Sequence, residues 1–240
     1  MEITYAVSTF SGDREQNEDF AAAGGAGDRY CFTVADGLGG HERGDVASKL
    51  VCESVQRDFK EHGAQALARL FDKAQERLLQ KQQEEDAIDA MKTTLNVLAI
   101  DGKIVYGGHV GDTRTYYFKK HKIISRTKDH SVPQMMVSMG EIKEKDIRHH
   151  VDRNRLLRVM GTEWTKPQYV LEKEIKAAKG QAFLLCTDGF WEYIEEGDME
   201  KCLKKAASVQ AWLDAMNEMV RQNGKGSNMD NYTALAIWIG

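Results

Sequence analysis

Proline is almost missing from this chain: 2 among 240 residues. Rigid proline-rich linkers are thereby excluded. Cysteine is also sparse. The four present (Cys31, Cys52, Cys186 and Cys202) are scattered and form no CxxC pair. No structural zinc site is visible, and the expectation is four reduced thiols in a cytoplasmic protein. No apolar stretch approaches the roughly 18 residues that span a bilayer. The opening MEITYAVSTF has neither the basic nor the apolar region of a signal peptide, so no membrane partner is expected. A basic excess is missing as well. Lys and Arg total 33 against 37 Asp and Glu, a net charge of −4, which argues against nucleic acid as a partner.

What is present is an ordinary globular mix, 42% hydrophobic and 29% charged, in a length that can bury a substantial core. The 21 glycines leave many positions open to positive φ. Ile3 to Phe10 alternates as a strand. Tyr30 to Ala35 is a second apolar run, and AAAGGAGD before it reads as a hairpin connection. A helix follows, opened by Asp45 as N-cap and broken by Gly63, with Val46, Leu50, Val55 and Phe59 in helical period. A second helix is expected from about Ala64 to Ala90. From Met91 the texture turns to strands: TTLNVLAI and IVYGGHV around an Asp-Gly turn, then TRTYYF and HKIISR. A short helix is expected near Val132 to Met139. YVLEKEI and AFLLCT return as strands, Ser208 to Arg221 as a helix, and Tyr232 to Ile239 as a final strand. This order is no βαβ alternation. It predicts an α+β fold with antiparallel sheets and helices packed outside.

Three Asp-Gly pairs stand out. Asp101-Gly102 lies between two apolar runs and reads as a hairpin turn. Asp36-Gly37 and Asp188-Gly189 each follow a buried-looking strand without an antiparallel return. Such a strand end can hold a carboxylate at the rim of a core, and the glycine lets its own carbonyl approach a ligand. Asn17-Glu18-Asp19 and Asp230-Asn231 add acids at the ends of two other strands. Oxygen donors without histidine or cysteine suit Mg²⁺ or Mn²⁺ rather than zinc. Spacing alone does not bring these acids together.

Seven segments carry a specific resemblance. They are Arg14-x-x-Asn17-Glu18-Asp19, VADGLGGHERGDVAS, GDTRTYYF, TKDHSVPQMMVSMGEI, LLRVMG, LLCTDGFWEYI and MDNYTALAIWI. In this order they resemble the motifs of the protein phosphatase 2C family, and the DGLGGH wording resembles its bacterial branch. The resemblance implies one catalytic domain over residues 1–240. Its architecture would be a four-layer α-β-β-α sandwich of two antiparallel sheets, with a flap subdomain at about 127–165. It implies a metal-dependent phosphatase acting on phosphoserine and phosphothreonine in proteins, by direct attack of a hydroxide bridging two Mn²⁺ or Mg²⁺ ions. Asp36 would bridge the metals, Gly37 would add its carbonyl, and Asp188, Asp230 and Glu18 would complete the ligands. Asp112 matches the acid that accommodates a third, weaker metal. Arg14 would grip the substrate phosphate, with Asp19 and Asn231 as supports. The implied partners are phosphorylated proteins and a cognate Ser/Thr kinase, and the chain is expected to be a monomer.

The chemistry accounts for these residue types. Paired metals lower the pKa of a shared water and neutralise the phosphoryl oxygens, and the planar fork of an arginine matches phosphate geometry. No cysteine nucleophile is needed, so Cys186 is expected to be a buried strand residue. One position departs from the family pattern: Leu38 stands where many eukaryotic relatives have a histidine that protonates the leaving group. His41, three positions on, is at most a substitute, and the general acid stays open. A non-catalytic phosphoprotein-binding member is disfavoured because the whole residue set is present. A small-molecule or regulatory phosphatase remains the other alternative. Residues 126–158 hold eight Lys and Arg against five acids, a positive stretch that could attract phosphorylated segments or be a solvated mixed surface. Met135, Met136, Met139 and Met160 could be an adaptable surface or core filling.

Overall fold

The computed structural model describes residues 1–38, 43–88 and 90–240. Three strands come first: β1 (Ile3–Phe10), β2 (Asp19–Ala26) and β3 (Arg29–Asp36). Two helices follow, α1 (Gly44–His62) and α2 (Leu67–Glu84). Strands β4 (Leu95–Asp101), β5 (Ile104–Val110), β6 (Arg114–Lys119) and β7 (Lys122–Arg126) form the middle of the chain. Helix α3 (Val132–Met139), a 3₁₀ turn at Glu144–His149 and two two-residue strands, β8 (Val170–Leu171) and β9 (Ile175–Lys176), come next. The last part is β10 (Gln181–Cys186), α4 (Asp188–Trp191), α5 (Glu196–Lys205), α6 (Val209–Gly224) and β11 (Tyr232–Ile239). No helix among the described residues is long and apolar enough to cross a membrane.

One sheet runs β1-β11-β10-β6-β7 and the other β2-β3-β4-β5-β8, with β9 also paired to β5; every pairing is antiparallel. The period of two in the central strands builds the layers. In β11, Leu235, Ile237 and Ile239 point between the sheets, while Ala234 and Ala236 face the helix layer. In β10, Phe183 and Leu185 point inward, and Leu184 and Cys186 outward. In β3, Phe32 and Val34 meet them, and Cys31 and Ala35 face α1 and α2. Strands buried on both faces demand helices on both outer surfaces. Trp212 and Met216 of α6 supply one cover, and Leu70, Phe71 and Leu78 of α2 the other. The result is the expected α-β-β-α sandwich.

Several local expectations are corrected. AAAGGAGD is not a connection: Asp19–Ala26 is strand β2. Its small residues make room for α1, whose Gln56 donates to the carbonyls of Ala22 (3.1 Å) and Cys31 (3.0 Å). Asp45 is not the N-cap; α1 begins at Gly44, and Asp45 lies in its first turn. The second helix starts at Leu67 after a 3₁₀ turn and ends at Glu84. YVLEKEI contributes only two two-residue strands. Helix α5 went unforeseen because only Met199 and Leu203 of it are buried, too sparse an apolar pattern to show a period. Asp101-Gly102 does form the hairpin turn between β4 and β5. Met160 is core, whereas Met135 and Met139 are exposed.

Candidate active site

A cleft of about 990 Å³ opens at one end of the sandwich. Asp36 stands at the end of β3, Asp112 just before β6, Asp188 just after β10 and Asp230 just before β11. Alternating strand direction therefore delivers carboxylates from four distant segments to one rim. All four line the cleft, together with Glu18 and Gly37. Arg14 stands on the same wall, with its side chain 46% exposed.

Asp36 and Glu18 are held by their backbones. The Asp36 N–H donates to Thr94 Oγ1 (2.9 Å), while its carbonyl accepts from the Thr93 hydroxyl (2.8 Å) and the Thr94 N–H (2.9 Å). Gly37 N–H donates to the Glu18 carbonyl (3.1 Å). The chain crosses itself tightly here: a Cβ on Gly37 would collide with the Gly44 carbonyl oxygen, and one on Gly44 would lie 2.8 Å from Glu18 Oε1. Glycine is thus required at both positions. The Glu18 carboxylate accepts the Gly44 N–H at the start of α1, the end of a helix that favours negative charge. Burial nevertheless raises its pKa.

Asp19, assigned above as a support, pairs with Asp36 across β2 and β3. Its Oδ2 accepts from the Thr187 hydroxyl (2.8 Å), and its buried Oδ1 has no partner among the described residues. Asn231 ties the rim together. Its Oδ1 accepts from the Glu18 N–H (2.8 Å), and its Nδ2 donates to the carbonyls of Ser11 and Gln16, each at 2.9 Å. Replacing Asn231 with leucine would strand three polar groups. We expect a loss of about 3 kcal/mol in denaturant unfolding and a raised KM, because the loop carrying Arg14 and Glu18 is released.

The electrostatics are those of crowded acids. Burial pushes the Asp36 carboxyl well above its ordinary range, and Asp19, Asp188, Asp112 and Asp230 push it further. Burial also raises Asp112 and Asp188, the latter against a hydrogen bond from Asp36. Asp19 is pushed up to about 8, first by burial and then, against its threonine hydrogen bonds, by Asp188 and Asp230. Among the described residues no three acid, histidine or cysteine groups are drawn close enough to close around one ion. Asp230 instead accepts two hydrogen bonds from Arg14, both 3.1 Å. The donor set still fits a hard divalent cation: it is all oxygen, it is partly buried at the rim of the core, and it carries negative charge that the described residues leave largely uncompensated.

Sequence reasoning missed some neighbours. Lys92 and Asn154 line the cleft, and Thr93, Thr94 and Thr187 clamp Asp36 and Asp19. The Thr-Thr pair at the entry to β4 and the threonine directly before Asp188-Gly189 were the available signals. Leu38 lines the cleft, its N–H donating to the Lys92 carbonyl (3.0 Å). His41 lies outside the described residues. Cys186 is buried, and burial raises its thiol pKa, in keeping with an inert strand residue.

Comparisons with known proteins agree with this geometry. The serine/threonine phosphatase stp of Listeria monocytogenes is 29% identical over 212 residues, covering 85% of this chain and 82% of that one. The serine/threonine protein phosphatase PstP of Mycobacterium tuberculosis is 27% identical over 226 residues, 92% of this chain and 42% of that protein. Among solved structures, the serine/threonine phosphatase Stp1 from Staphylococcus aureus superposes with a TM-score of 0.86 at 25% identity, covering 100% of this chain and 96% of that one. The family model described as protein phosphatase 2C matches residues 11–234. With that match running through every acid of the cleft, the chain belongs to the protein phosphatase 2C family.

Proposed function

We propose that this chain is a Mn²⁺- or Mg²⁺-dependent phosphatase that hydrolyses phosphoserine and phosphothreonine in proteins. One observation carries the reading: Asp36, Asp112, Asp188, Asp230 and Glu18 line one cleft with Arg14 on its wall. The relatives' names point the same way, and the catalytic domain of PstP, which shares the fold, was solved with two manganese ions. In this chain Asp36, Gly37, Glu18, Asp188 and Asp230 would hold two such ions, and Asp112 a third. Bound there, divalent cations would supply a water of lowered pKa and offset the charge of the phosphoryl group.

The chain's own residues do the rest. Arg14 is exposed enough to leave Asp230 and take phosphate oxygens with the same two donors. Asn231 fixes the loop that presents Arg14. Asp19 and the threonines hold Asp36 at the rim, so charge stabilisation is preorganised. Leu38 brings no proton donor, so the leaving oxygen takes its proton from elsewhere. The single catalytic domain with its flap, the monomeric state, the cytoplasmic location and an opposing Ser/Thr kinase belong to the same proposal.

The test is hydrolysis of a phosphothreonine peptide with Mn²⁺ and then with excess chelator. We expect chelation to cut the rate by at least about a hundredfold; activity that survives it would overturn the metal mechanism.

A further inference from the structure

Behind the cleft lies a second cavity, of about 590 Å³. One stretch of chain divides the two. Asn154, Leu156 and Val159 face the cleft, whereas Leu157 and Arg158 face the second cavity. That stretch is pinned to the start of the flap by Leu157 N–H to the His130 carbonyl (2.7 Å) and Val132 N–H to the Arg155 carbonyl (2.9 Å).

The cavity is rich in donors that no described residue uses. Gln134 is only 4% exposed and lines it. Its Oε1 faces the Arg126 guanidinium at 3.5 Å. That contact fixes the amide orientation, because the alternative would set two donors face to face. Its buried Nε2 then has no acceptor among the described residues, a costly arrangement in an empty protein pocket. His130 accepts the Gly111 N–H at Nδ1 (3.2 Å), so the neutral ring carries its hydrogen on Nε2, where no acceptor is found among the described residues. Lys128 and Arg158 line the same cavity, and neither forms an ion pair among the described residues. Two acids also line it. Asp129 is neutralised by two hydrogen bonds from Arg114, and Glu172 is turned to His109 Nδ1 at 3.2 Å.

Unused amide, imidazole, ammonium and guanidinium donors converging on one hollow call for an acceptor of several oxygens. We propose that this cavity binds an oxyanion of the phosphate or phosphoryl type, at a site separate from the cleft. Its occupant would press on the chain stretch that forms the cleft wall.

The test uses the full chain with chelator present, inorganic phosphate as the probe, and amide shifts in two-dimensional NMR as the readout. Phosphate should shift the Gln134 side-chain amide and the His130 backbone amide along one saturable curve. Gln134→Leu should weaken that curve, followed at His130, by about tenfold. Lys128→Ala, at an exposed position where folding is not at stake, should weaken it by about threefold. Turnover of a small phosphate monoester should stay at the wild-type level in both variants, since neither residue lines the cleft. Shifts confined to residues around Asp36 and Asp230, or an unchanged curve in both variants, would overturn the proposal. A phosphoserine peptide that binds here more tightly than inorganic phosphate would identify a phosphorylated protein as the source; weaker binding would identify a free anion.

Discussion

Asp36→Asn should cost about a thousandfold or more in phosphopeptide turnover and at the same time make the metal-free protein harder to unfold. The two effects have one cause. Asp36 sits buried among Asp19, Asp112, Asp188 and Asp230, and that company, after burial itself, raises its pKa. A carboxyl with a raised pKa keeps its proton longer in the folded chain than in the unfolded one. Folding is then favoured in acid, and this contribution is lost as pH rises from about 4 through the folded pKa, a window that for Asp19 reaches about 8. Asparagine removes one charge from the cluster and can still donate to Asp188. In chelator at neutral pH the variant should be more stable by about 1–3 kcal/mol. At pH below 4 the advantage should vanish. Adding Mn²⁺ should raise the melting temperature of the wild type far more than that of the variant. A variant less stable than the wild type in chelator at pH 7 would show that Asp36 is not repelled in the way described.

Arg114→Met should produce the largest loss of stability. The Arg114 and Asp129 side chains are 3% and 1% exposed, joined by hydrogen bonds of 2.9 and 2.7 Å. The guanidinium also lies 3.5 Å above the Trp191 ring and donates to the Tyr116 hydroxyl (3.1 Å). Methionine fills similar space but leaves Asp129 buried with one weaker partner, Arg126 at 3.4 Å. Stranding one half of a buried ion pair costs about 3–5 kcal/mol, roughly 10 °C in melting temperature for a chain of this size. Arg114→Met with Asp129→Leu should recover much of that, since no unpaired charge remains. The loss should also reach the cleft. Trp191, on which Arg114 stacks, donates from Nε1 to the Asp112 carbonyl (3.1 Å), so Mn²⁺ titration should show weakened binding of the most loosely held ion.

The sandwich was legible in the sequence because its central strands are buried on both faces. AFLLCT and YTALAIWI read as continuous apolar runs, and their alternation between inter-sheet and helix-facing sides needs no further information. β2 was not legible. Ala and Gly are poor strand formers, and what makes DFAAAGGA a strand is the helix lying across it, a tertiary fact. Helix α5 failed for the opposite reason, being mostly solvated. In the cleft, Asp36, Asp188, Asp230 and the acids of Asn17-Glu18-Asp19 stood out at strand ends beside a glycine or asparagine, whereas Asp112 and the role of each acid came from the resemblance. The pairing of Asp19 with Asp36 and the clamps from Thr94 and Thr187 could not be named. They depend on register between segments far apart in the chain, and no periodicity encodes that. The Arg14–Asp230 contact is likewise a product of folding.

The place of β11 has a consequence for how the protein folds. Tyr232–Ile239 is inserted between β1 and β10 and is paired to both. Asp230 and Asn231 precede it directly. Until that strand docks, the first sheet is split, Glu18 lacks its asparagine anchor and the cleft lacks an acid. Contacts of such long sequence separation also form slowly. Partly folded chains in which β11 is undocked should therefore be inert towards phosphoproteins, with activity appearing in a single step when that strand slots home.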